Sequence, residues 1–294
     1  MSLDAALATG APMPMTPHEV IQNLGDLPPL PQVATRVIRI SAASDTSSRD
    51  LQDLVRTDQA LTAQMLRIAN SAMFGRVREV TTLTQAILTL GFSTARSVVL
   101  ASSVKNLFNR GPVGIQERIL WEHALVTALT GSAFSKAIRF SMTEEVFLAG
   151  LMHDIGKSVM TLKFPESYGA MLRTLREQGG DGISMELDAF GFDHAMVGEA
   201  LLRSWNIAEG IEAAVRWHHD PLQAPLEHRR LVALVALGTQ MALDLQVGIG
   251  TPDSLAGATW EAQDILGLTD ATYQEHRTAA LEALEHDQAL ITEF

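Results

Sequence analysis

Residues 150–157 read GLMHDIGK, with a histidine and an aspartate side by side and a lysine three positions on. His153–Asp154 is one of four places where histidine falls in an otherwise apolar stretch. The others are WEHAL (His123), FDHAMVGEALLRSW (His194) and RWHHDP (His218 and His219). Five of the nine histidines therefore lie between positions 123 and 219. Their neighbours are large and apolar: Leu148, Leu151 and Ile155 around His153, Val197, Leu201 and Leu202 after His194, Ile211 and Val215 before His218. Helices that each bury an imidazole need partners for those imidazoles, and a metal ion beside an aspartate supplies them together.

The chain has no cysteine, so any metal must be held by His, Asp or Glu. Neutral imidazoles with a carboxylate suit a divalent cation: Fe, Mn, Zn, Ni, Co or Mg. Asp154 can bridge two ions, which His153 cannot. A bound ion lowers the pKa of a water, and a second ion can clamp a phosphoryl oxygen. Lys157, one turn beyond His153, can meet a phosphate as a point charge. Taken singly, each residue also has a plainer reading. His194 alone reads as a hydrogen-bonded core histidine. The His218–His219 pair before Asp220–Pro221 reads as a helix end, where imidazoles meet the negative end of the dipole. Lys157 reads as a solvated residue. His228, His276 and His286 lie in charged stretches and read as surface residues.

The elements that must position these side chains are helices. TPHE (16–19) gives a Thr cap, a Pro at the first helical position and a Glu that closes a capping box. QVATRVIRISAA (32–43) carries Val33, Val37 and Ile40 on one stripe, and SSRDLQDLVRTD (47–58) begins with a serine cap. Asp58 caps a helix with Leu61, Met65 and Ile68 at helical spacing, and TLTQAILTLG ends in Gly91 as a C-terminal cap. STARSVVLASSVKNLF continues as helix. No period-two alternation is long enough for a strand, so the fold class is all-α. NRGPVG (109–114) is the boundary signal. It divides an N-terminal helical part (16–110), holding only His18, from a C-terminal part (115–294) with the other eight histidines. Residues 1–15, small and rich in Pro and Met, read as a disordered leader. LVALVALGTQMALDLQVG (231–248) is interrupted by Thr239, Gln240 and Asp244, so it reads as a buried helix rather than a membrane span. TDATYQEHRTAALEALEHDQALI (269–291) reads as an acidic surface helix.

The 294 residues carry a formal net charge of −12. That balance opposes nucleic-acid binding, which depends on phosphate neutralisation by Lys and Arg. The absence of cysteine and of a signal-peptide pattern points to the cytoplasm.

The order His123, His153–Asp154, Lys157, His194, His218–His219 resembles the HD superfamily of metal-dependent phosphohydrolases. More closely, the chain resembles the HDOD domain, the HD-related output domain of bacterial signalling proteins. LPPLPQVATRVIRI, DLVRTDQALTAQMLRIANSAMFG and TTLTQAILTLGFSTARSVVLAS carry that likeness in the N-terminal half; FDHAMVGEALLRSWNI and AVRWHHDP carry it beyond. The likeness covers about residues 17–247. It implies an N-terminal helical lobe packed on an HD-like helical bundle, and a role in signal transduction with a protein partner. It also implies a metal-ligand set of His123, His153, Asp154, His194, His218 and His219, and a pocket open to an anionic or nucleotide ligand. Neither nucleic acid nor membrane enters that role. The family carries no general enzymatic activity. The alternative is an active phosphohydrolase on a nucleotide or phosphoester, with Asp154 and Lys157 as its catalytic residues.

The chain departs from the HD pattern at one point. HD hydrolases usually close their site with an aspartate in the helix after the paired histidines, and here Thr239 aligns best. Asp244, five residues later, is expected to face elsewhere. The GYP signature of cyclic-di-GMP phosphodiesterases is also absent, with DPLQAPLEHRR in its place, which disfavours that substrate.

Overall fold

A computed structural model describes residues 15–22, 33, 36–37, 45–70, 79–108 and 115–285. The leader expected at 1–15 and the boundary at 109–114 lie essentially outside these residues, as does most of 32–43. Among the described residues every regular element is a helix.

The N-terminal part contributes α1 (Pro17–Gln22), α2 (Asp45–Val55), α3 (Gln59–Ala69), α4 (Leu83–Leu90) and α5 (Phe92–Phe108). The capping box at Thr16 forms: the Glu19 amide donates to Thr16 Oγ1 at 3.2 Å and the Thr16 amide to Glu19 Oε2 at 2.7 Å. Asp58 caps α3 by accepting from the amides of Ala60 and Leu61. Thr82 and Gln85 make a second capping box ahead of α4, and Gly91 closes that helix with φ of 77°. α2 begins at Asp45, two residues before the expected serine cap.

The histidine-bearing part runs α6 (Ile115–Ala137), α7 (Thr143–Met152), α8 (Ile155–Lys163), α9 (Pro165–Gln178), α10 (Gly182–Phe190), α11 (His194–Ser204), α12 (Glu209–Trp217) and α13 (Arg229–Asp244). Two further helices follow, α14 (Ala256–Leu266) and α15 (Asp270–Glu285). Every residue of α13 from Leu231 to Gln240 and on to Leu243 is buried, so this is the central core helix and not a span. No single helix among the described residues is long and apolar enough to cross a membrane. α13 lies along α6 and α7, α14 packs on α13, α15 packs on α6, and α11 packs on α8 and α12. Among its described residues α15 buries Tyr273, Ala280 and Leu284, which fits the narrow apolar stripe expected of a surface helix over 269–291, the end of which lies outside the described residues.

The two parts share one core, in which α5 packs on α7 and α8. The first helix crosses the division at 110. α1 seats Val20 and Ile21 against the histidine-bearing part, on α11, rather than among its sequence neighbours.

One glycine decides how near the site-bearing helices come. A Cβ on Gly156 would overlap the carbonyl oxygen of His194, so only glycine lets α8 lie directly against the start of α11. That contact brings Asp154 and His194 to the same point.

Candidate metal centre

Each site residue sits at a helix end or on an inner face. His153 caps the C-terminus of α7, and Asp154 opens α8 one residue later. His194 is the first residue of α11, and His218 follows the last residue of α12. His123 lies inside α6, facing α13. Placing donors at helix ends gives each a fixed backbone while several helices converge. His123, His153, Asp154, His194 and His218 are all buried; His219 is half-buried.

The six residues predicted as ligands come together around the Asp154 carboxylate. His194 Nε2 is 3.1 Å and His218 Nε2 3.7 Å from Asp154 Oδ1. His153 Nε2 is 3.5 Å and His123 Nε2 3.7 Å from Asp154 Oδ2. His219 Nε2 lies 3.2 Å from His194 Nε2. One group of ligand atoms comes from Asp154, His194, His218 and His219, a second from His123, His153 and Asp154. Within each, the atoms lie within 4.8 Å of one another.

The outer ring nitrogens explain why the inner ones point inward. His153 Nδ1 donates to the Gly150 carbonyl at 2.8 Å, and His218 Nδ1 to the Val215 carbonyl at 2.9 Å. His123 Nδ1 donates to the Val247 carbonyl at 2.8 Å. His194 Nδ1 donates to Glu186 Oε2 at 2.7 Å. In all four rings an oxygen holds the Nδ1 proton and leaves Nε2 facing Asp154, the arrangement that fixes a metal-ligating tautomer. The loop after α13 reaches His123 because residue 248 is glycine. A Cβ there, at φ of 132°, would stand 2.5 Å from His123 Nδ1.

A metal ion fits the unmet demand of the pocket. Among the described residues, His153 Nε2, His218 Nε2 and Asp154 Oδ1 are buried without a hydrogen bond. Asp154 Oδ1 meets the His194 imidazole at 3.1 Å. The two imidazole lone pairs have no such partner, and leaving them buried is costly unless a cation takes them up.

The electrostatics favour the same chemistry. Burial pushes His123 down to about 3, against the pull of Asp154. It also lowers His153, His218 and His219, so these rings are neutral and free to donate a lone pair. Burial raises the Asp154 carboxyl, but Lys157, His153 and His194 outweigh it and hold the group well below its usual range. Burial likewise opposes charge on His194, yet Glu186 outweighs it and lifts the imidazole to about 9. Lys157 Nζ donates to Asp154 Oδ2 at 2.7 Å. Its ammonium therefore rests on the carboxylate rather than standing free at the pocket mouth. Thr239 is buried beside the site, with its hydroxyl donating to the Val235 carbonyl at 2.9 Å. Asp244 is turned away, held by Arg277 at 2.7 Å and by Gln240 at 2.8 Å.

Glu186 is the residue the sequence reading missed. It is 1% exposed and accepts from three donors: the His194 ring, the His194 amide at 2.7 Å and the Tyr168 hydroxyl at 2.6 Å. The opposing charge of His194 lowers its carboxyl despite burial. Phe164, Tyr168, Phe190 and Phe192 pack around this corner, with centroids 5.1–6.2 Å apart for the closest pairs. The signal was present in ISMELDAF, where Glu186 is three after Ile183 and four before Phe190, on the apolar face.

Five histidines and one aspartate from separate helices thus meet at one point of an all-α core. The chain belongs to the HDOD domain family: the model of that domain matches residues 27–221, about two thirds of the sequence. The crystal structure of an HDOD domain protein of unknown function from Geobacter sulfurreducens has the same fold, with a TM-score of 0.77 at 21% identity over 99% of each chain. A candidate signal transduction protein from Marinobacter aquaeolei VT8 superposes with a TM-score of 0.71 at 21% identity, covering 98% of this chain and 64% of that one. An uncharacterised protein of Treponema pallidum (strain Nichols) is 23% identical over 218 residues, or 74% of this chain and 42% of that protein. The chain thus spans about two fifths of the length of that curated relative.

Proposed function

We propose that the chain is a regulatory HDOD module of a signalling pathway whose histidine pocket holds a divalent metal ion, and that occupancy of the pocket biases how its helices pack. The observation that carries this reading is the set of four buried imidazoles with Nδ1 tied to oxygen and Nε2 facing one carboxylate. Their holders would be His123, His153, Asp154, His194, His218 and His219. Among Fe, Mn, Ni, Zn and Mg, the imidazole-rich donor set favours the transition ions over Mg. When bound, the ion supplies positive charge at the centre of the bundle and Lewis acidity toward a small ligand.

The chain's own residues do the rest. Glu186 and the three backbone carbonyls orient the rings. The apolar walls Leu172, Leu175, Ile183 and Leu243 limit the entry of water. Lys157 sets a positive charge on Asp154 Oδ2 in the lining of the pocket. The cavity beside these residues measures about 40 Å³, room for a few waters or one small anion. α7, which ends at His153, packs on α5 of the N-terminal part, so tension at the pocket has a direct path to the other part of the core.

Hydrogen exchange with and without added Zn²⁺ or Mn²⁺ tests this reading. Protection is expected to rise in α7, α11 and α12 and to extend into α5, with no change in Asp154→Ala. Exchange indifferent to metal in the wild type would refute it. Turnover of phosphoesters with Mn²⁺, abolished by Asp154→Ala, would favour the hydrolase instead.

A further inference from the structure

The two oxygens of Asp154 do not face equivalent surroundings. Oδ1 looks toward His194 and His218, with His219 beside them, which makes a four-residue group. Oδ2 looks toward His123 and His153 only, and it also carries the Lys157 ammonium at 2.7 Å. We propose that this pocket takes a single divalent transition ion, at Asp154, His194, His218 and His219, and that the Lys157 ammonium stands in place of a second cation on the His123–His153 side. The inference rests on the reading of the pocket as a metal centre and adds its stoichiometry and its asymmetry.

Three features on the Oδ2 side converge. Only three ligand atoms are available there. The position that could add a fourth is Thr239, a neutral hydroxyl hydrogen-bonded to the Val235 carbonyl and a weak ligand for a dication beside a carboxylate. Asp244, the next carboxylate along α13, is clamped by Arg277 and Gln240 and points away. The ammonium itself is buried to the extent that Lys157 is only 12% exposed, so it is not swept off by solvent. A dication on Oδ2 would share that oxygen with a fixed positive charge, and like charges at such range repel strongly in a buried site.

The Oδ1 side carries no lysine; its one positive charge is the His194 proton, which an incoming ion displaces. This side supplies three imidazoles and one carboxylate oxygen, a donor number that completes four-coordinate Zn²⁺ or Co²⁺. His194 and His218 are held by Glu186 and by the Val215 carbonyl, so their Nε2 atoms are aimed before an ion arrives. Two dications against the one central carboxylate would leave a large excess of positive charge. One dication with the lysine elsewhere on that carboxylate leaves far less.

The experiment is metal stoichiometry on the full chain, loaded with Co²⁺, desalted and measured by elemental analysis, with the visible absorption of bound Co²⁺ as a second readout. The wild type is expected to hold one ion per chain with a four-coordinate spectrum. His219→Gln is expected to lose it, and His123→Gln to keep it with the spectrum unchanged. Lys157→Met combined with Thr239→Asp is expected to raise the content to two. Circular dichroism checks each variant for folding. If His219→Gln does not fold, His218→Gln replaces it, and the lysine–threonine pair decides alone if neither folds. Two ions in the wild type overturn the inference while leaving the metal centre intact. So do loss of the ion in His123→Gln with retention in His219→Gln, or a double variant that still holds one. A wild type that holds no ion removes the metal centre itself, and this inference with it.

Discussion

Glu186 shows how much of the site is made by residues that would never touch an ion. Its carboxylate receives the Nδ1 proton of His194, the amide that opens α11 and the Tyr168 hydroxyl, all at 2.6–2.7 Å. Removing its charge leaves His194 with a weaker anchor and a less basic Nε2. Glu186→Gln is expected to lower affinity for Zn²⁺ by about 10–100-fold, read by competition with a chromophoric chelator. Unchanged affinity would mean that the carboxylate serves packing alone. At this scale the sequence was informative but incomplete. His123, His153, Asp154, His194, His218 and His219 stood out by type, because an imidazole in an apolar stretch is conspicuous. Their convergence was suggested by the burial that their apolar neighbours imply and by the likeness to a known domain, since nothing in spacings of 24 to 41 residues fixes a meeting point. Glu186 escaped because a glutamate on a helix is ordinary until its face is identified as buried. Lys157 was read as a free charge, whereas its distance of three residues from Asp154 within the first turn of α8 already allowed the pair seen.

Among the elements, the tightest constraint lies between α8 and α11. The site needs the first turn of α8 against the first residue of α11, and Gly156 is the residue that permits it. Gly156→Ala puts a methyl group into the backbone of His194, not into a flexible side chain, so the helices must separate. We expect a loss of about 2 kcal/mol in denaturant stability, with metal affinity falling in parallel because Asp154 and His194 part. A variant as stable as the wild type would show that the two helices have slack. The helices themselves were legible. Caps at Thr16 and Asp58, the glycine stop at 91 and the largely apolar, buried body of 231–243 rest on local chemistry that tertiary structure did not override. Less legible was the position of α1. A six-residue helix with two buried side chains, Val20 and Ile21, carries too little pattern to name its partner, and it docks on α11 across the core.

For the molecule as a whole, the pocket makes folding depend on pH in both directions. His123 is neutral in the fold down to about 3, while an unfolded histidine takes up its proton near 6.5. Its contribution is therefore present above pH 6.5 and lost as pH falls toward 3. His153, His218 and His219 shift the same way, and the lowered Asp154 and Glu186 carboxyls add their loss at still lower pH. His194 runs opposite. Raised to about 9, it contributes fully below 6.5 and loses that contribution as pH rises through 9. The metal-free protein is expected to be most stable near neutrality and to weaken more steeply toward about pH 5 than toward about pH 9, as four histidines outweigh one. Denaturant midpoints across that range check it, and a midpoint that does not fall on the acid side would contradict the buried neutral rings. The all-α class and the family were legible at this scale. The place of Glu186 in the pocket and the docking of α1 were not, because both depend on where separate helices finally stop.

The central claim is that six side chains meeting at Asp154 form a metal centre. Its most direct test is elemental analysis of the wild type and Asp154→Ala, each equilibrated with the same low concentration of Zn²⁺ and passed through a desalting column. The account predicts that the wild type retains a stoichiometric divalent ion and that Asp154→Ala, folded by circular dichroism, retains almost none. Equal metal in the two proteins, or none in either, would contradict it.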